Sequence, residues 1–168
     1  YKTSGGLHGI GVKAVNFLSH WCEVEVRREG GIYQQEYERG KPAGPVTNIG
    51  KSTSSGTKTT FKPDPEVFGN LKFEFKTMET RLRELAYLNK GVRIEFGDER
   101  NGESESFEFP EGIVQFVTDI NKSSDPIHKE VVFINGEIEG SYVEVAFQYA
   151  EEYTENIHCY VNNINTKD

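Results

Sequence analysis

The chain has 168 residues, which is enough for one domain or two small ones. Hydrophobic residues make up 35% and charged residues 27%, the ordinary proportions of a soluble globular protein. The formal net charge of -8 argues against a nucleic-acid clamp, because surfaces that hold phosphate backbones are usually basic. No stretch has the length of a membrane span or the pattern of a signal peptide, so we expect a cytoplasmic protein with no membrane contact.

The cysteines and histidines show no metal-ligand pattern. Cys22 and Cys159 lie far apart, which is typical of free thiols in a reducing compartment. Three histidines have no partner at metal spacing and are assigned no role: His20, His128 and His158. The chain begins without methionine at Tyr1 and stops in a turn-like sequence at Asp168, so we expect an internal fragment of a longer protein.

The N-terminal segment is rich in glycine, with Gly5, Gly6, Gly9 and Gly11 directly before an apolar pattern at helical spacing. Glycine reaches positive φ and lets the backbone approach a ligand, and a helix start leaves unpaired N–H groups at the positive end of its dipole. This combination can hold a phosphate group; a flexible loop with a glycine-rich cap is the alternative. No Gly-Lys-Ser/Thr ends the loop and no hydrophobic strand precedes it, which excludes the Walker and Rossmann motifs.

The helix predicted next spans residues 11–20 and is closed by Trp21 and Cys22. Its apolar residues recur at spacings of three and four, and we expect them to form a buried stripe: Val12, Val15 and Leu18. Alternating and polar patterns then predict the following segments. They are a strand at 23–27, a turn at 29–31, a returning strand at 32–39, a loop at 39–45, a polar segment without an apolar period at 51–57, and a short strand at 58–62.

The clearest helical pattern lies at residues 78–88, with four apolar residues on one side: Met78, Leu82, Leu85 and Leu88. A helix stop follows, and then a hairpin with its turn at 100–102. Beyond a boundary at 110–112, the pattern predicts a helix at 113–121, strands at 131–135 and 142–149, and a last strand at 156–161. Strands mixed with a few helices suggest an α/β sandwich followed by part of a second α/β unit.

Five sequence strings together resemble one known family. SGGLHGIGVKAVNFLS is similar to the second glycine motif of the GHKL ATPases, in the form found in the gyrase B family of type II topoisomerases. The resemblance continues through SSGTKTTFKPDPEVF, RLRELAYLNKGV, EGIVQFV and FQYAEEYTENIHCYVNNINT. Thr3, Ile10 and Lys13 are small departures that remove no glycine. Topoisomerase IV B subunits are also similar here, but the hairpin VRREGGIYQQEYERG favours gyrase.

The resemblance implies an α/β fold, specifically an α+β two-layer sandwich. Residues 1–110 are expected to be the C-terminal part of a GHKL, or Bergerat, ATPase domain, and residues 111–168 the N-terminal part of a βαβ transducer domain. The implied parent enzyme is an ATP-dependent type II DNA topoisomerase that couples ATP binding and hydrolysis to strand passage and negative supercoiling. Its implied partners are DNA, a second copy of itself in the ATP-bound state, and the gyrase A subunit.

By the same resemblance, the ATP lid ends at the N-terminus of the chain and the glycine loop supplies backbone N–H groups to the phosphates. A threonine hydroxyl lies near the adenine and its ordered water. The implied ATP-binding residues are Tyr1, Lys2, Gly6, Leu7, His8, Gly9, Ile10, Gly11, Val12 and Thr57. Judged from the residues alone, the preferred interpretation of Thr57 is an ordinary turn residue before a strand. His8 is either a phosphate donor or a loop residue that tolerates a strained backbone.

Arg28 matches an arginine at the rim of the adenine pocket where coumarin antibiotics dock; the alternative is a solvated arginine on a hairpin. Gly112 is either a hinge or the turn that begins a helix. The family's glutamate base and Mg²⁺-binding asparagine precede the region matched here, and its phosphate-sensing lysine follows it. We therefore expect no catalytic residue and no magnesium ligand within this chain, and no ATPase activity from the isolated chain.

Three other functions stay open from the sequence. They are a topoisomerase IV B subunit, another GHKL ATPase such as a chaperone, mismatch-repair protein or histidine kinase, and a non-catalytic interaction module that keeps the fold. The joined series of motifs disfavours the other GHKL classes, and no phosphorylatable histidine in a dimerisation helix supports a kinase.

Overall fold

The computed structural model describes residues 9–151, 153 and 155–166. The chain divides into two compact units between Lys72 and Phe73, and each is described by itself. Both combine helices with antiparallel strands. The domain boundary expected at residue 111 does not coincide with this division and stays a prediction.

The first unit is an antiparallel sheet with a short helix before its central strand. Its elements are α1 (Gly11–Phe17), β1 (Ser19–Arg28), β2 (Gly31–Glu38), β3 (Lys41–Pro42), β4 (Thr47–Lys51), β5 (Gly56–Pro63) and α2 (Pro65–Phe68). The strand order is β3-β2-β1-β5, and β4 also pairs with β2. The predicted first hairpin is confirmed: β1 and β2 are joined by Glu29 and Gly30, whose φ values of 53° and 79° suit a two-residue type I′ turn.

Helix α1 is shorter than predicted. It ends at Phe17, and Trp21 and Cys22, which were expected to close it, lie in β1 instead. The backbone turns into the sheet because its carbonyl groups accept hydrogen bonds from the residues that directly follow β5 and β2. Leu18 O accepts from Asp64 N at 2.9 Å, and Ser19 O from Arg39 N at 3.0 Å.

The apolar stripe of α1 is not buried in the described structure. Val12 is 71% exposed and Leu18 41%, and α1 contains no fully buried residue. The prediction of a buried stripe is therefore wrong within the part of the chain that the structure describes. The described elements cover only part of the helix, and Val15 is half-buried.

Two segments in which the sequence predicts no strand nevertheless contribute residues to strands. β3 lies within 39–45, and β5 begins at Gly56, two residues before the predicted strand. Sheet pairing explains both differences, because Tyr37 pairs with Pro42 and Arg27 with Gly56. Backbone hydrogen bonds to neighbouring strands stabilise these polar segments, so they form strands although their sequences show no apolar alternation.

The second unit places helices beside three two-stranded antiparallel ribbons. Its elements are α3 (Phe75–Leu88), β6 (Arg93–Asp98), β7 (Glu103–Glu108), α4 (Ile113–Ile120), a 3-10 turn (Asn121–Ser123), β8 (Val132–Ile138), β9 (Ser141–Phe147), β10 (Tyr160–Val161) and β11 (Ile164–Asn165). The pairs β6–β7, β8–β9 and β10–β11 each form one ribbon. The two predicted helices are confirmed, although α3 begins earlier than residue 78.

Helix α3 buries a different face from the one the apolar spacing predicts. Its buried residues are Glu79, Ala86 and Tyr87, whereas Met78 is 37% exposed. Glu79 tolerates burial because its carboxylate is paired with Lys76 Nζ at 2.7 Å and with Arg83 Nη2 at 2.6 Å. These bonds hold the pKa of Glu79 below its ordinary value, against the opposing effect of burial.

The last strands also differ from the prediction. β8 continues through Ile138, so the expected break at 136–140 is reduced to a turn at Glu139 and Gly140. The strand expected at 156–161 forms only at Tyr160–Val161. It pairs with β11 across Asn162 and Asn163, whose φ values of 47° and 66° are ones that asparagine tolerates well.

Candidate functional site

The structure describes the last part of the glycine loop and the start of α1. Gly9 has φ +61°, a left-handed conformation that favours glycine. Ile10 is the N-cap residue of α1 and makes no side-chain capping hydrogen bond, and Gly11 is the first helical residue. Five of the predicted ATP-binding residues lie outside the described residues: Tyr1, Lys2, Gly6, Leu7 and His8.

This helix start is open to its surroundings. Ile10 and Val12 are 57% and 71% exposed, and a Cβ added at Gly9 or Gly11 would meet no described atom within 4 Å. Because no side chain of the described residues caps the helix start, its first N–H groups are available to an oxygen ligand. The glycines are therefore not explained by packing among the described residues. The positive φ explains Gly9, and the space around Gly11 is compatible with a close ligand.

Thr57 lies in a strand and not in a turn. It is the second residue of β5, opposite Val26 of β1, and it is exposed. This position disagrees with the interpretation of Thr57 as an ordinary turn residue. An exposed hydroxyl on a strand can bond to water or to a ligand, because the strand backbone already satisfies its own hydrogen bonds.

The sheet register brings Arg28 and Thr57 to the same end of the sheet. Arg28 is the last residue of β1, two positions beyond the partner of Thr57. The Arg28 side chain is 74% exposed, and its Nε donates to Glu29 Oε1 at 2.9 Å. An ion pair this exposed contributes little to stability, so the guanidinium can exchange this partner for a ligand.

One charged cluster in the first unit was missed from the sequence. Asp64 is 3% exposed, and its carboxylate accepts from Arg39 Nε at 2.5 Å and from the Glu66 backbone N–H at 3.0 Å. Arg39 Nη2 also lies 2.6 Å from Glu66 Oε1. The Arg39 side chain, followed by the Glu66 N–H, holds the pKa of Asp64 below its ordinary value.

This Arg39–Asp64–Glu66 cluster fixes structure and contains no nucleophile. Asp64 caps the N-terminus of α2, which begins at Pro65. The sequence signal was an aspartate directly before a proline, the usual order of a capping residue and the first residue of a helix.

The cysteines and the metal-binding residue types form no metal site in the part of the chain that the structure describes. Cys22 is buried in β1, where burial raises the pKa of its thiol, and Cys159 is exposed; both are free. Among the described residues, no group of three or more His, Cys, Asp or Glu side chains is arranged to hold a metal ion. These residues therefore do not fit Mg²⁺, and we derive no step through that ion from them. None of the described helices is both long enough and apolar enough to cross a membrane.

Comparisons with known proteins agree across the chain. A family model described as DNA gyrase B matches residues 112–168. The DNA gyrase B subunit of Clostridium acetobutylicum is 48% identical over 99% of this chain and 26% of its own length. The DNA topoisomerase 4 B subunit of Bacillus subtilis is 47% identical over 100% of this chain and 26% of its own. The chain therefore spans about a quarter of the length of these curated relatives.

A solved structure shows the same fold. The 43K ATPase domain of Thermus thermophilus gyrase B, in complex with an aminocoumarin, matches with a TM-score of 0.87 at 37% identity. The match covers 96% of this chain and 44% of that one. The expected fold class, an α+β architecture like that of the gyrase B ATPase region, is confirmed.

Proposed function

The chain belongs to the family of type II topoisomerase B subunits that includes DNA gyrase B, and from this membership we propose that it carries the phosphate-binding half of an ATP site. The observation that carries the proposal is the left-handed Gly9 leading into the uncapped start of α1. The backbone N–H groups of Gly11 and Val12 donate to phosphate oxygens there, and the helix dipole favours the negative charge. Ile10, the N-cap residue of α1, contributes to the same phosphate-binding backbone.

The rest of the nucleotide site is assigned by resemblance. Tyr1 and Lys2 end the lid over the nucleotide, and the loop through Gly6, Leu7 and His8 continues the phosphate cradle. Thr57 binds the ordered water beside the adenine through its exposed hydroxyl. Its place in a strand supports this role, because the strand fixes the direction of the side chain.

Arg28 forms the rim of the adenine pocket. Its exposure and its position two residues beyond Val26, the partner of Thr57, support this assignment. The Thermus thermophilus relative was solved with an aminocoumarin, and we propose that the same class of compound contacts Arg28 here. The guanidinium would give a charge-assisted hydrogen bond to an oxygen of the drug.

We propose that the parent protein is a cytoplasmic gyrase that uses ATP and Mg²⁺ to pass one DNA duplex through another. Its glutamate base and magnesium ligand come from parts of the protein other than the described residues. DNA, a second B subunit and the gyrase A subunit are its proposed partners. Topoisomerase IV is the second candidate, because its B subunit from Bacillus subtilis is 47% identical to this chain.

Two measurements on the full-length protein test the proposal. Isothermal titration with a non-hydrolysable ATP analogue should show binding, and the protein with its partner subunit should change the linking number of a closed circular plasmid only when ATP is present. Negative supercoiling supports gyrase. Relaxation or decatenation without supercoiling supports topoisomerase IV. If the folded protein does not bind nucleotide, the remaining candidate function is the non-catalytic interaction module that keeps the fold.

A further inference from the structure

The C-terminal turn of α3 contacts two segments that lie far downstream in the chain. Tyr87 is 5% exposed, and its hydroxyl donates to Asp119 Oδ2 of α4 at 2.5 Å. Asn163, in the turn between β10 and β11, donates from Nδ2 to Asn89 Oδ1 at 3.0 Å. We call these two hydrogen bonds the α3 joint. The two bonds involve residues two positions apart at the end of α3, but one partner lies in α4 and the other in the β10–β11 turn.

Aromatic packing holds the first of these bonds in place. The Tyr87 ring stacks on Phe109 with centroids 3.6 Å apart and on Phe116 with centroids 4.8 Å apart. Phe109 follows β7, and Phe116 lies on α4. The ring is therefore fixed by two neighbouring segments, and its hydroxyl has little freedom to turn away from Asp119.

The backbone between β7 and α4 is also packed against α3. Gly112 is buried, has φ +60° and is the N-cap residue of α4. A Cβ at Gly112 would lie 3.3 Å from the Tyr87 carbonyl oxygen and 3.6 Å from Lys90 Cβ. Of the two interpretations left open from the sequence, these contacts favour the helix-start turn, since a free hinge needs space that a close-packed glycine lacks.

The charges keep the Tyr87–Asp119 bond in one state at neutral pH. Burial, followed by the bond to Asp119, raises the pKa of Tyr87, so the phenol stays a donor. Burial opposes ionisation of Asp119, but its hydrogen bonds to Lys122 and Tyr87 keep the pKa below its ordinary value. Lys122 Nζ lies 2.6 Å from Asp119 Oδ1. A charged acceptor makes this bond stronger than a neutral one.

We propose that the α3 joint positions α4 and the β10–β11 turn on α3, so that a nucleotide-driven displacement of α3 is passed on to residues 111–168. This rests on the proposed function and on the boundary that the family resemblance implies at residue 111, which assigns α3 to the ATPase domain and α4 to the transducer domain. Two bonds to separate elements resist both sliding and rotation about α3, which one bond alone cannot do. Tyr87, Asn89, Asp119 and Asn163 are positioning residues, and none of them contacts nucleotide in this proposal.

Two substitutions remove the joint with little other change. Tyr87→Phe deletes one hydroxyl and keeps the stacked ring. Asn163→Gly deletes the amide at a residue with φ +66°, which glycine adopts freely. Tyr37→Phe is the matched control, because the Tyr37 hydroxyl donates to Gln35 Oε1 at 2.6 Å within the same strand and joins no second element.

The experiment uses the full-length protein assembled with its partner subunit. We expect Tyr87→Phe and Asn163→Gly to keep the KM for ATP within about twofold, because the nucleotide contacts are elsewhere. Strand-passage events per ATP hydrolysed should fall by up to roughly tenfold in Asn163→Gly, which loses a neutral hydrogen bond. They should fall by roughly tenfold to a hundredfold in Tyr87→Phe, which loses a bond to a charged acceptor. Asp119→Asn, which keeps an acceptor oxygen, should rescue most of the loss seen in Asp119→Ala. Tyr37→Phe should match the unsubstituted protein.

Three results would overturn the proposal. The first is an unchanged number of strand passages per ATP in both joint variants. The second is a loss of coupling in Tyr37→Phe as large as that in Tyr87→Phe, since it would reflect general destabilisation. The third is strict additivity of Tyr87→Phe and Asp119→Ala in a double-mutant cycle of thermal unfolding without ATP, which would mean that the bond is not formed. Absence of ATP turnover in the unsubstituted protein would instead disprove the proposed function, and the cycle, which needs no ATP, keeps the two failures apart.

Discussion

At the scale of single residues, Gly9 and Gly11 tolerate substitution differently although they lie two positions apart. Gly9 has φ +61°, so any β-branched residue there is strained, whatever space surrounds it. Gly11 has no positive φ, and a Cβ there would meet no described atom within 4 Å. A side chain at Gly11 should therefore interfere only with a ligand, whereas one at Gly9 should also distort the loop.

We predict that Gly9→Val and Gly11→Val each abolish nucleotide binding in the full-length protein. At both positions the valine side chain would collide with the bound phosphate. At Gly9, but not at Gly11, backbone strain of about 1–3 kcal/mol adds to this collision. Titration with a non-hydrolysable ATP analogue measures the affinity, and thermal unfolding measures the strain. Gly102→Val is the matched control for strain, because Gly102 has φ +78°, lies in a hairpin turn and is surrounded by open space. Near-normal affinity in a folded Gly11→Val protein would contradict the phosphate cradle.

Arg28 should affect drug binding more than catalysis. We predict that Arg28→His weakens aminocoumarin binding by about 1.5–3 kcal/mol, the value of one charge-assisted hydrogen bond, and leaves the ATPase rate near normal. Arg27→His is the control, because adjacent strand residues face opposite sides of the sheet. Drug affinity and ATP turnover are measured on the same preparations. An equal loss of both in Arg28→His would show that the arginine acts in the chemistry instead.

At the scale of elements, the Arg39–Asp64–Glu66 cluster fixes the end of β5 and the start of α2. Its central carboxylate is almost fully buried and has an N–H group and a guanidinium as donors. Replacing Asp64 by asparagine removes the charge and leaves Arg39 without its main partner, although the asparagine side chain would still cap α2. The cluster should therefore contribute to stability through its charge and not only through its shape.

We predict that Asp64→Asn lowers the Tm at neutral pH and that the difference disappears in acid. The pKa of Asp64 is lower in the folded state than in the unfolded state, so its contribution is present above the unfolded value, near 3.9. It is lost as the pH falls through the folded value. Thermal unfolding of both proteins from pH 7 to about pH 3 measures the effect. Glu29→Gln, which breaks the exposed pair with Arg28, should change the Tm little at any pH. A difference that is constant with pH would contradict the ionic explanation.

Local sequence patterns predicted the elements whose shape depends on near neighbours. The β1–β2 hairpin follows from the turn at Glu29 and Gly30, and α4 from its apolar spacing. The patterns failed where distant partners decide. α1 ends at Phe17 because backbone N–H groups just beyond two distant strands bond to the residues that follow it, and α3 buries Glu79 because two cations neutralise it. Neither cause is visible in the apolar period alone.

The candidate site shows the same division. The glycine loop was found from composition, because positive φ and close approach to a ligand select glycine. Thr57 and Arg28 come together only through the strand register, which fixes Val26 opposite Thr57. Without the family resemblance, no spacing in the sequence connects these two residues, since a pairing across the sheet leaves no periodic signal.

At the scale of the whole chain, large apolar side chains are exposed on α1 and on the β8–β9 ribbon. Val12 and Phe17 of α1 are 71% and 64% exposed, and Ile134 and Tyr142 of the ribbon 57% and 64%. Covering one such side chain contributes about 1.5–3 kcal/mol, so these surfaces are costly to leave in water. We expect the isolated chain to unfold at a lower temperature than the same region within the full-length protein, as measured by hydrogen exchange or thermal unfolding.

The isolated chain should have no ATPase activity and at most weak affinity for ATP. In the proposed site the loop before α1 donates N–H groups to phosphate. The described residues provide no metal cluster, however, and no residue of this chain is assigned as the base that activates water. General-base catalysis typically contributes about 10²–10⁴-fold, and positioning of the attacking water is lost with it. The measurement is phosphate release by purified residues 1–168 with Mg²⁺ and ATP, beside the full-length protein as a positive control. The same chain with Gly9→Val shows the level of contaminating activity, because that variant should not bind nucleotide. Turnover that exceeds this level would mean that a catalytic base lies within the chain and that its assignment to another part of the protein is wrong.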